Sequence, residues 1–184
     1  SFNKLFNQYN LEVFHVEKIW IHGGSLRVYL QHKGGPRQIT SRVKEVLIEE
    51  QTLGLYELKT WYGFAEKVLD HKIALREEIL KLKSKSKKIS VYGASGKGQS
   101  LLQFCQLDSS LVDYVVDKSK MKQGKITPGT HIPIFPVEHI YEDLPDVILL
   151  CAWNFAEEIV KQENRFISLN GTFLHPLPMP HYLT

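Results

Sequence analysis

The stretch Ile89-Ser90-Val91-Tyr92-Gly93-Ala94-Ser95-Gly96-Lys97-Gly98 decides the fold class of this chain. A short apolar run that favours an extended strand leads into a glycine-rich turn, and the apolar residues after the turn recur at helical spacing. Strand, turn and helix in this order open many α/β domains with a parallel sheet. We therefore predict that the first half of a Rossmann-like domain extends from Ile89 to Asp117.

Later segments continue the alternation of strands and helices. We predict strands in 111–116, 146–152 and 171–174, and one amphipathic helix over 155–166. After Asp146, the segment 146–152 is apolar throughout, which is typical of a central parallel strand that is covered on both faces. The predicted fold class is α/β, with a Rossmann-like, open and mainly parallel sheet flanked by helices.

The residues before Ile89 follow a different pattern. We predict a short helix over 1–10, a β-hairpin over 11–31 with a glycine turn, and two helices that end near Gly54 and Leu82. About thirty residues of helix and hairpin cannot close a core alone, so we interpret them as the tail of another domain. We interpret the aromatic residues of the second helix as core or interdomain packing rather than as a cofactor site; they are Trp61, Tyr62 and Phe64.

Composition excludes several classes of protein. Hydrophobic residues make up 43% and charged residues 23%, and no apolar run approaches the roughly 18 residues of a membrane span. The lysines between Lys81 and Lys88 indicate a solvated helix end and linker rather than a nucleic-acid surface, because no aromatic residues lie among them. The two cysteines, Cys105 and Cys151, lie in apolar segments without metal-ligand spacing, which predicts a cytoplasmic protein with no metal site.

The glycine turn is a candidate anion site. Where a helix begins after such a turn, unpaired N–H groups and the helix dipole favour a phosphate. The spacing G-x-x-G-x-G differs from the dinucleotide fingerprint, and Gly96-Lys97 is not followed by Ser or Thr as in a P-loop. Asp117 lies where a Rossmann acid meets a ribose hydroxyl. Alternatively, the glycines only allow close packing, Lys97 is solvated and Asp117 caps a turn.

Three further places carry open alternatives. Trp153 and Asn154 follow the apolar strand and border the same predicted crevice, although Asn154 is equally suited to cap a helix. His131, in the proline-rich segment 127–134, either has a structural role or faces the ligand. His22 and Arg27 flank a glycine turn, where they either bind a phosphate or a sugar or simply belong to a hairpin.

Four of these motifs together resemble the C-terminal part of the S-adenosylmethionine-dependent sugar C-methyltransferases. The resemblance runs from about Leu11 to Leu174. The motifs, in chain order, are His22-Gly23-Gly24-Ser25-Leu26-Arg27, Tyr92-Gly93-Ala94-Ser95-Gly96-Lys97-Gly98, Thr127-Pro128-Gly129-Thr130-His131-Ile132-Pro133, and Ala152-Trp153-Asn154 with Glu157-Glu158-Ile159.

The resemblance implies a division of the chain and a role for it. Residues 1–33 would be the tail of the methyltransferase domain, 37–84 a helical linker, and 85–184 the Rossmann-like C-terminal domain. The cofactor motif, the zinc cysteines and the catalytic Tyr/His segment of the family would lie before Ser1. We therefore expect no cofactor and no catalytic residue in this chain, and S-adenosylmethionine and structural zinc in the full-length enzyme.

The implied ligand is a nucleotide-linked sugar, such as a dTDP-keto-sugar, and the implied partner is the rest of the same polypeptide; nucleic acid and membrane are not expected. The substrate-binding residues predicted on this basis are His22, Arg27, Tyr92, Gly93, Ala94, Ser95, Lys97, Gly98, Asp117, Trp153 and Asn154. Two other functions are compatible with the residues: a stand-alone nucleotide- or CoA-binding regulatory module, and a Rossmann-like interaction scaffold.

Overall fold

The computed structural model describes residues 2–183, except for the side chain of His22. It forms two compact units, Ser1–Ala65 and Glu66–Thr184. The three-part division implied by the resemblance stays a prediction.

The first unit contains a two-stranded antiparallel sheet. Helix α1 (Phe2–Asn7) leads into β1 (Leu11–Ile19), which pairs with β2 (Ser25–His32). A 3-10 turn at Ile21–Gly23 joins the strands, and α2 (Ser41–Thr52) follows them. The predicted short helix, hairpin and first long helix are therefore confirmed. Their small core consists of Val13, Val16 and Val43.

The second unit contains a six-stranded sheet. Its helices are α3 (Leu58–Ser84, which begins in the first unit), α4 (Gly96–Phe104), α5 (His139–Asp143), α6 (Ala156–Gln162) and α7 (Asn164–Ser168). Its strands are β3 (Ile89–Tyr92), β4 (Tyr114–Val116), β5 (Ile134–Phe135), β6 (Val147–Leu150), β7 (Thr172–His175) and β8 (His181–Leu183). In space the strands follow the order β5-β4-β3-β6-β7-β8, and every pair except β7 with β8 is parallel. The predicted α/β fold class is confirmed.

The strand order places a topological switch point between β3 and β6. From β3 the chain proceeds to β4 and β5 on one side of the sheet, and it then returns to build β6 and β7 on the other. Ligands of open α/β sheets bind outside the carboxyl ends of the strands at such a point. The turn after β3 and the turn after β6 meet here.

Two apolar layers cover the sheet. One contains α3 residues Leu75, Ile79 and Leu82 together with Leu102 of α4, and the other contains Ile159 and Phe166 from the helices that follow β6. Strand β6 is buried at all four positions, as its continuous apolar sequence predicts. Both cysteines are buried and unpaired by disulfide.

Two sequence predictions need correction, and two elements were not predicted. Trp61, Tyr62 and Phe64 are 50%, 68% and 60% exposed, so their placement in a core is wrong, whereas packing against another domain stays a prediction. The helix expected over 155–166 is interrupted at Glu163, which ends α6 and precedes α7. Helix α5 and strand β8 were not predicted from the sequence.

The lysines near the end of α3 form ion pairs with acids of the second unit. Lys83 pairs with Asp113 at 3.2 Å, Lys87 with Asp146 at 2.7 Å and Lys88 with Asp143 at 2.6 Å. Asp113 and Asp146 also accept hydrogen bonds from the backbone N–H groups of Ile89 and Lys88, at the start of β3. These residues thus fix the amino end of β3. No helix within residues 2–183 has the length and apolar character needed to cross a membrane.

Candidate functional site

The carboxyl ends of four parallel strands bring the candidate site together. The residues that follow β3, β4 and β6 begin at Gly93, Asp117 and Cys151, and β7 ends at His175. Nine of the eleven predicted site residues lie on the first three of these segments or at the end of β3. The sheet topology therefore groups residues that are up to about sixty positions apart in the sequence.

The glycine turn is held by close backbone packing. Gly93 has φ of +100°, a left-handed conformation that favours glycine, and an added Cβ would lie 2.9 Å from the Cβ of Ala152. Its N–H donates to the carbonyl of Val116 at 2.8 Å. At Gly98 an added Cβ would lie 2.6 Å from the Cβ of Cys151. These two glycines thus bring the start of α4 against the turn after β6.

Ser95 caps the helix that begins in this turn. Its Oγ accepts a hydrogen bond from the N–H of Gly98 at 3.1 Å, and its backbone is extended, as in an ordinary N-cap. Gly96 and Lys97 form the first positions of α4 and are exposed. The positive end of the helix dipole is consequently open at these two residues.

Asp117 has a structural role in this turn. Its Oδ2 accepts from the N–H of Ala94 at 2.7 Å and lies 3.1 Å from Nζ of Lys122, while its Oδ1 accepts from the N–H of Ser119 at 2.8 Å. The residue is only 9% exposed. This geometry supports the alternative in which Asp117 caps a turn. The N–H of Ala94, which was expected to face a phosphate, donates to Asp117 instead.

Two lysines that sequence reasoning did not select add positive charge to this edge. Lys118 and Lys122 follow the strand-ending Asp117, and Lys118 donates to Oε1 of Gln162 at 2.6 Å. With Lys97 they place three basic side chains on the segments after β3 and β4. Their sequence position, soon after the acid that follows a predicted strand, could have identified them as candidate site residues.

Tyr92 is buried beneath the turn rather than in it. Its hydroxyl donates to Oε1 of the buried Glu163 at 3.3 Å, and the hydroxyl of Tyr141 donates to Oε2 at 2.7 Å. Burial, followed by the negative charge of Glu163, raises the pKa of Tyr92 above its ordinary range. Its side chain therefore stays neutral and supports the strand end from the core side.

The turn after β6 forms a 3-10 helix, Trp153–Phe155. The N-cap residue of this turn is Ala152, and Phe155 precedes α6, so the alternative of Asn154 as a helix cap is wrong. Trp153 is half-buried and Asn154 is exposed. Both side chains are therefore accessible to a ligand at the edge where β3 and β6 end.

Three other candidates lie elsewhere. Arg27 is on β2 of the first unit, where its Nη1 lies 3.4 Å from Oε2 of Glu17, and the side chain of His22 lies outside the described residues. His131 precedes β5, and Gly129 of the same segment lies beside Gln103 near the end of α4. Because β5 is parallel to β4, this segment lies at the amino edge of the sheet, opposite the glycine turn.

The arrangement is suited to bind an anion. It offers a helix start, lysine side chains and exposed polar residues, whereas the buried phenol and carboxylate groups stabilise its base. No group of three or more histidine, cysteine or acidic residues able to hold a metal occurs in the part of the chain that the structure describes.

Comparison with known proteins places the chain in a family. Residues 20–178 match the model of the C-methyltransferase C-terminal domain. This chain belongs to that family. The match covers most of the 184 residues and contains all four motifs quoted from the sequence, so the predicted resemblance is confirmed.

A curated relative of this C-methyltransferase C-terminal domain is C-methyltransferase NovU of Streptomyces niveus. The two sequences are 34% identical over 180 residues, which cover 98% of this chain and 43% of NovU. The chain thus spans less than half the length of the relative that it matches.

Proposed function

We propose that this chain forms the sugar-nucleotide-binding part of an S-adenosylmethionine-dependent sugar C-methyltransferase. In the whole enzyme, a methyl group would pass to a carbon of a nucleotide-linked keto-sugar, with the cofactor and the catalytic base supplied by other domains of the same polypeptide. This chain would hold the substrate and would not methylate it alone.

The observation that carries the proposal is the positive carboxyl edge at the switch point. Three lysines, Lys97, Lys118 and Lys122, lie on the segments after β3 and β4, beside the exposed start of α4. Within the protein, Lys122 pairs with Asp117 and Lys118 donates to Gln162. Helix starts and lysines favour phosphate oxygens, which a nucleoside diphosphate sugar provides.

We also propose which of the predicted residues would contact such a ligand. Gly96 and Lys97 would face the diphosphate, and Trp153 and Asn154 would face the sugar or the base from across the switch point. Asp117, Ala94 and Tyr92 would act indirectly, because their hydrogen-bonding groups bond within the protein. The family membership and the name of the relative NovU support methyl transfer to carbon as the overall reaction.

The proposal is tested by calorimetric titration of the chain with a dTDP-linked sugar, S-adenosylmethionine, NAD and CoA. We expect binding of the dTDP-sugar alone, which at about 100 times its dissociation constant would stabilise the fold by about 2.7 kcal/mol. Binding of NAD or CoA instead would support a regulatory module. Absence of binding to all four would contradict ligand binding by this chain and favour a scaffold.

Two matched variants locate the site. Lys97→Ala should weaken binding of the dTDP-sugar about tenfold, since it removes a charged contact to phosphate. Lys67→Ala, at an exposed lysine of α3, should leave the affinity unchanged. Equal effects of the two variants would show that general charge, and not the start of α4, attracts the ligand.

A further inference from the structure

Two histidines face each other across the antiparallel pair at the end of the sheet. His175 ends β7 and lies directly opposite His181, the first residue of β8. Their ring centres are 4.8 Å apart, with an angle of 36° between the ring planes. His175 is half-buried and His181 is exposed, so solvent reaches this pair.

Hydrogen bonds orient both rings in the same way. Nδ1 of His181 lies 2.9 Å from the carbonyl of Met179, and Nδ1 of His175 lies 2.7 Å from the carbonyl of Leu177. The N–H of Leu177 is farther from His175 Nδ1, at 3.3 Å, so the closer carbonyl assigns the proton to Nδ1. In both rings Nε2 then carries the lone pair.

This is the form in which histidine binds a metal. Metal-ligating imidazoles usually donate one ring N–H to a carbonyl or carboxylate, which fixes the ring and leaves the other nitrogen as the ligand. Cross-strand residues hold their side chains side by side, so the two rings are neighbours on one antiparallel strand pair. The turn between the strands therefore prepares both rings for a common ligand.

The separation of the rings agrees with joint coordination. A metal–nitrogen bond of about 2.1 Å places a ring centre about 3.2 Å from the ion, so two rings are about 5.2 Å apart in tetrahedral and about 4.5 Å apart in square-planar coordination. The observed 4.8 Å lies between these values. The distance between the two ring centres is thus compatible with one shared ion.

We propose that His175 and His181 form a two-histidine site for a divalent transition-metal ion, Zn²⁺ or Cu²⁺. Imidazole nitrogen suits both ions. The nearby His71 is not a ligand, because it is buried and its Nε2 lies 2.6 Å from the carbonyl of Pro176. Within residues 2–183 no third histidine, cysteine or acid completes a group around the pair, so water or a bound oxygen ligand fills the other positions. The site does not depend on the proposed function.

The test is calorimetric titration of tag-free, chelator-treated protein with Zn²⁺ alone. We expect saturable binding of one ion per chain, and a loss of at least about tenfold in affinity in H175N and in H181N. Because His181 is exposed, H181N should keep the far-ultraviolet circular dichroism and urea midpoint of the wild type.

The control is H131N, at an exposed histidine on the opposite edge of the sheet. His131 has φ of 53°, a conformation that asparagine tolerates well, so H131N should keep both the fold and the affinity for Zn²⁺. Cu²⁺ bound to the wild type should show nitrogen hyperfine coupling that is reduced in H181N. The proposal is overturned if the wild type shows no saturable binding, if H181N binds Zn²⁺ as the wild type does, or if H131N weakens binding equally.

Discussion

The carboxylate of Asp117 and the backbone N–H of Ala94 form a hydrogen bond of 2.7 Å that joins the end of β4 to the turn after β3. The same carboxylate accepts from Ser119 and pairs with Lys122. Asp117→Ala should therefore lower the free energy of unfolding by about 1–3 kcal/mol, because two N–H groups lose their acceptor. Urea denaturation measures this change. An unchanged midpoint would contradict the structural role of Asp117.

The isosteric change separates this role from ribose binding. Asp117→Asn removes a negative charge beside the proposed phosphate site, so affinity for a dTDP-sugar should stay equal or increase. Weaker binding would instead restore Asp117 as a ribose ligand, the role considered from the sequence. Asp70→Asn, at an exposed acid of α3, is the control for the change in net charge.

The two glycines in the first turn of α4 should respond differently to alanine. At Gly98 the new Cβ would meet Cys151 Cβ at 2.6 Å, so Gly98→Ala should destabilise the fold by about 1–3 kcal/mol. At Gly96 nothing lies within 4 Å of the new Cβ, so Gly96→Ala should be neutral or stabilise the helix by up to about 1 kcal/mol. Thermal unfolding of both variants provides the comparison. Similar melting temperatures of the two variants would contradict the close contact between Gly98 and Cys151.

The raised pKa of several tyrosines predicts that the protein loses stability in alkali. Burial, together with the hydrogen bond to Glu163, raises the pKa of Tyr141 from 10.0 to about 12. Between these values the folded state keeps a proton that the unfolded state releases. The contribution of Tyr141 to the free energy of unfolding is therefore complete below pH 10 and decreases as the pH rises toward 12.

Urea titrations across this pH range measure the effect. Tyr141→Phe should make the fall less steep. Part of the fall should remain, because the pKa of other tyrosines, among them Tyr92, Tyr114 and Tyr182, is also raised. A pH dependence identical to that of the wild type would exclude Tyr141 from the effect.

Helix α3 offers a matched pair of leucines. Leu75 has 0% exposure and packs in the core of the second unit, so Leu75→Ala should cost about 2–5 kcal/mol. Leu69 is 54% exposed on the same helix, so Leu69→Ala should change stability by less than about 0.5 kcal/mol. Chemical denaturation of the two variants tests whether the helix faces the sheet as described. Equal costs would contradict this orientation.

Much of the fold was readable from local patterns. Strand β6 is apolar at every position because helices cover both of its faces, and β3 is followed at once by a glycine turn that only a strand-to-helix connection needs. These signals are short-range and strong. They predicted the parallel sheet and the carboxyl edge on which the candidate residues lie.

Other features depend on long-range partners. The break at Glu163 reflects a carboxylate that accepts from Tyr92 and Tyr141, 71 and 22 positions earlier in the chain, and helical periodicity does not reveal such bonds. Strand β8 follows a proline-rich turn and pairs with β7 alone, so its sequence lacks the continuous apolar character of a central strand. The sequence allowed Asp117 to cap a turn, but its hydrogen bond with the N–H of Ala94 could not be predicted without the turn geometry.

The contacts of Gly93 and Gly98 with Ala152 and Cys151 have a consequence for protein engineering. Because these glycines set how close α4 approaches β6, the helix start should keep its place when the exposed Gly96 and Lys97 change. A mutant library directed at new sugar-nucleotide ligands should therefore randomise Gly96, Lys97 and Asn154, and keep Gly93 and Gly98 fixed. Selection from such a library would change ligand specificity without changing how α4 packs against β6.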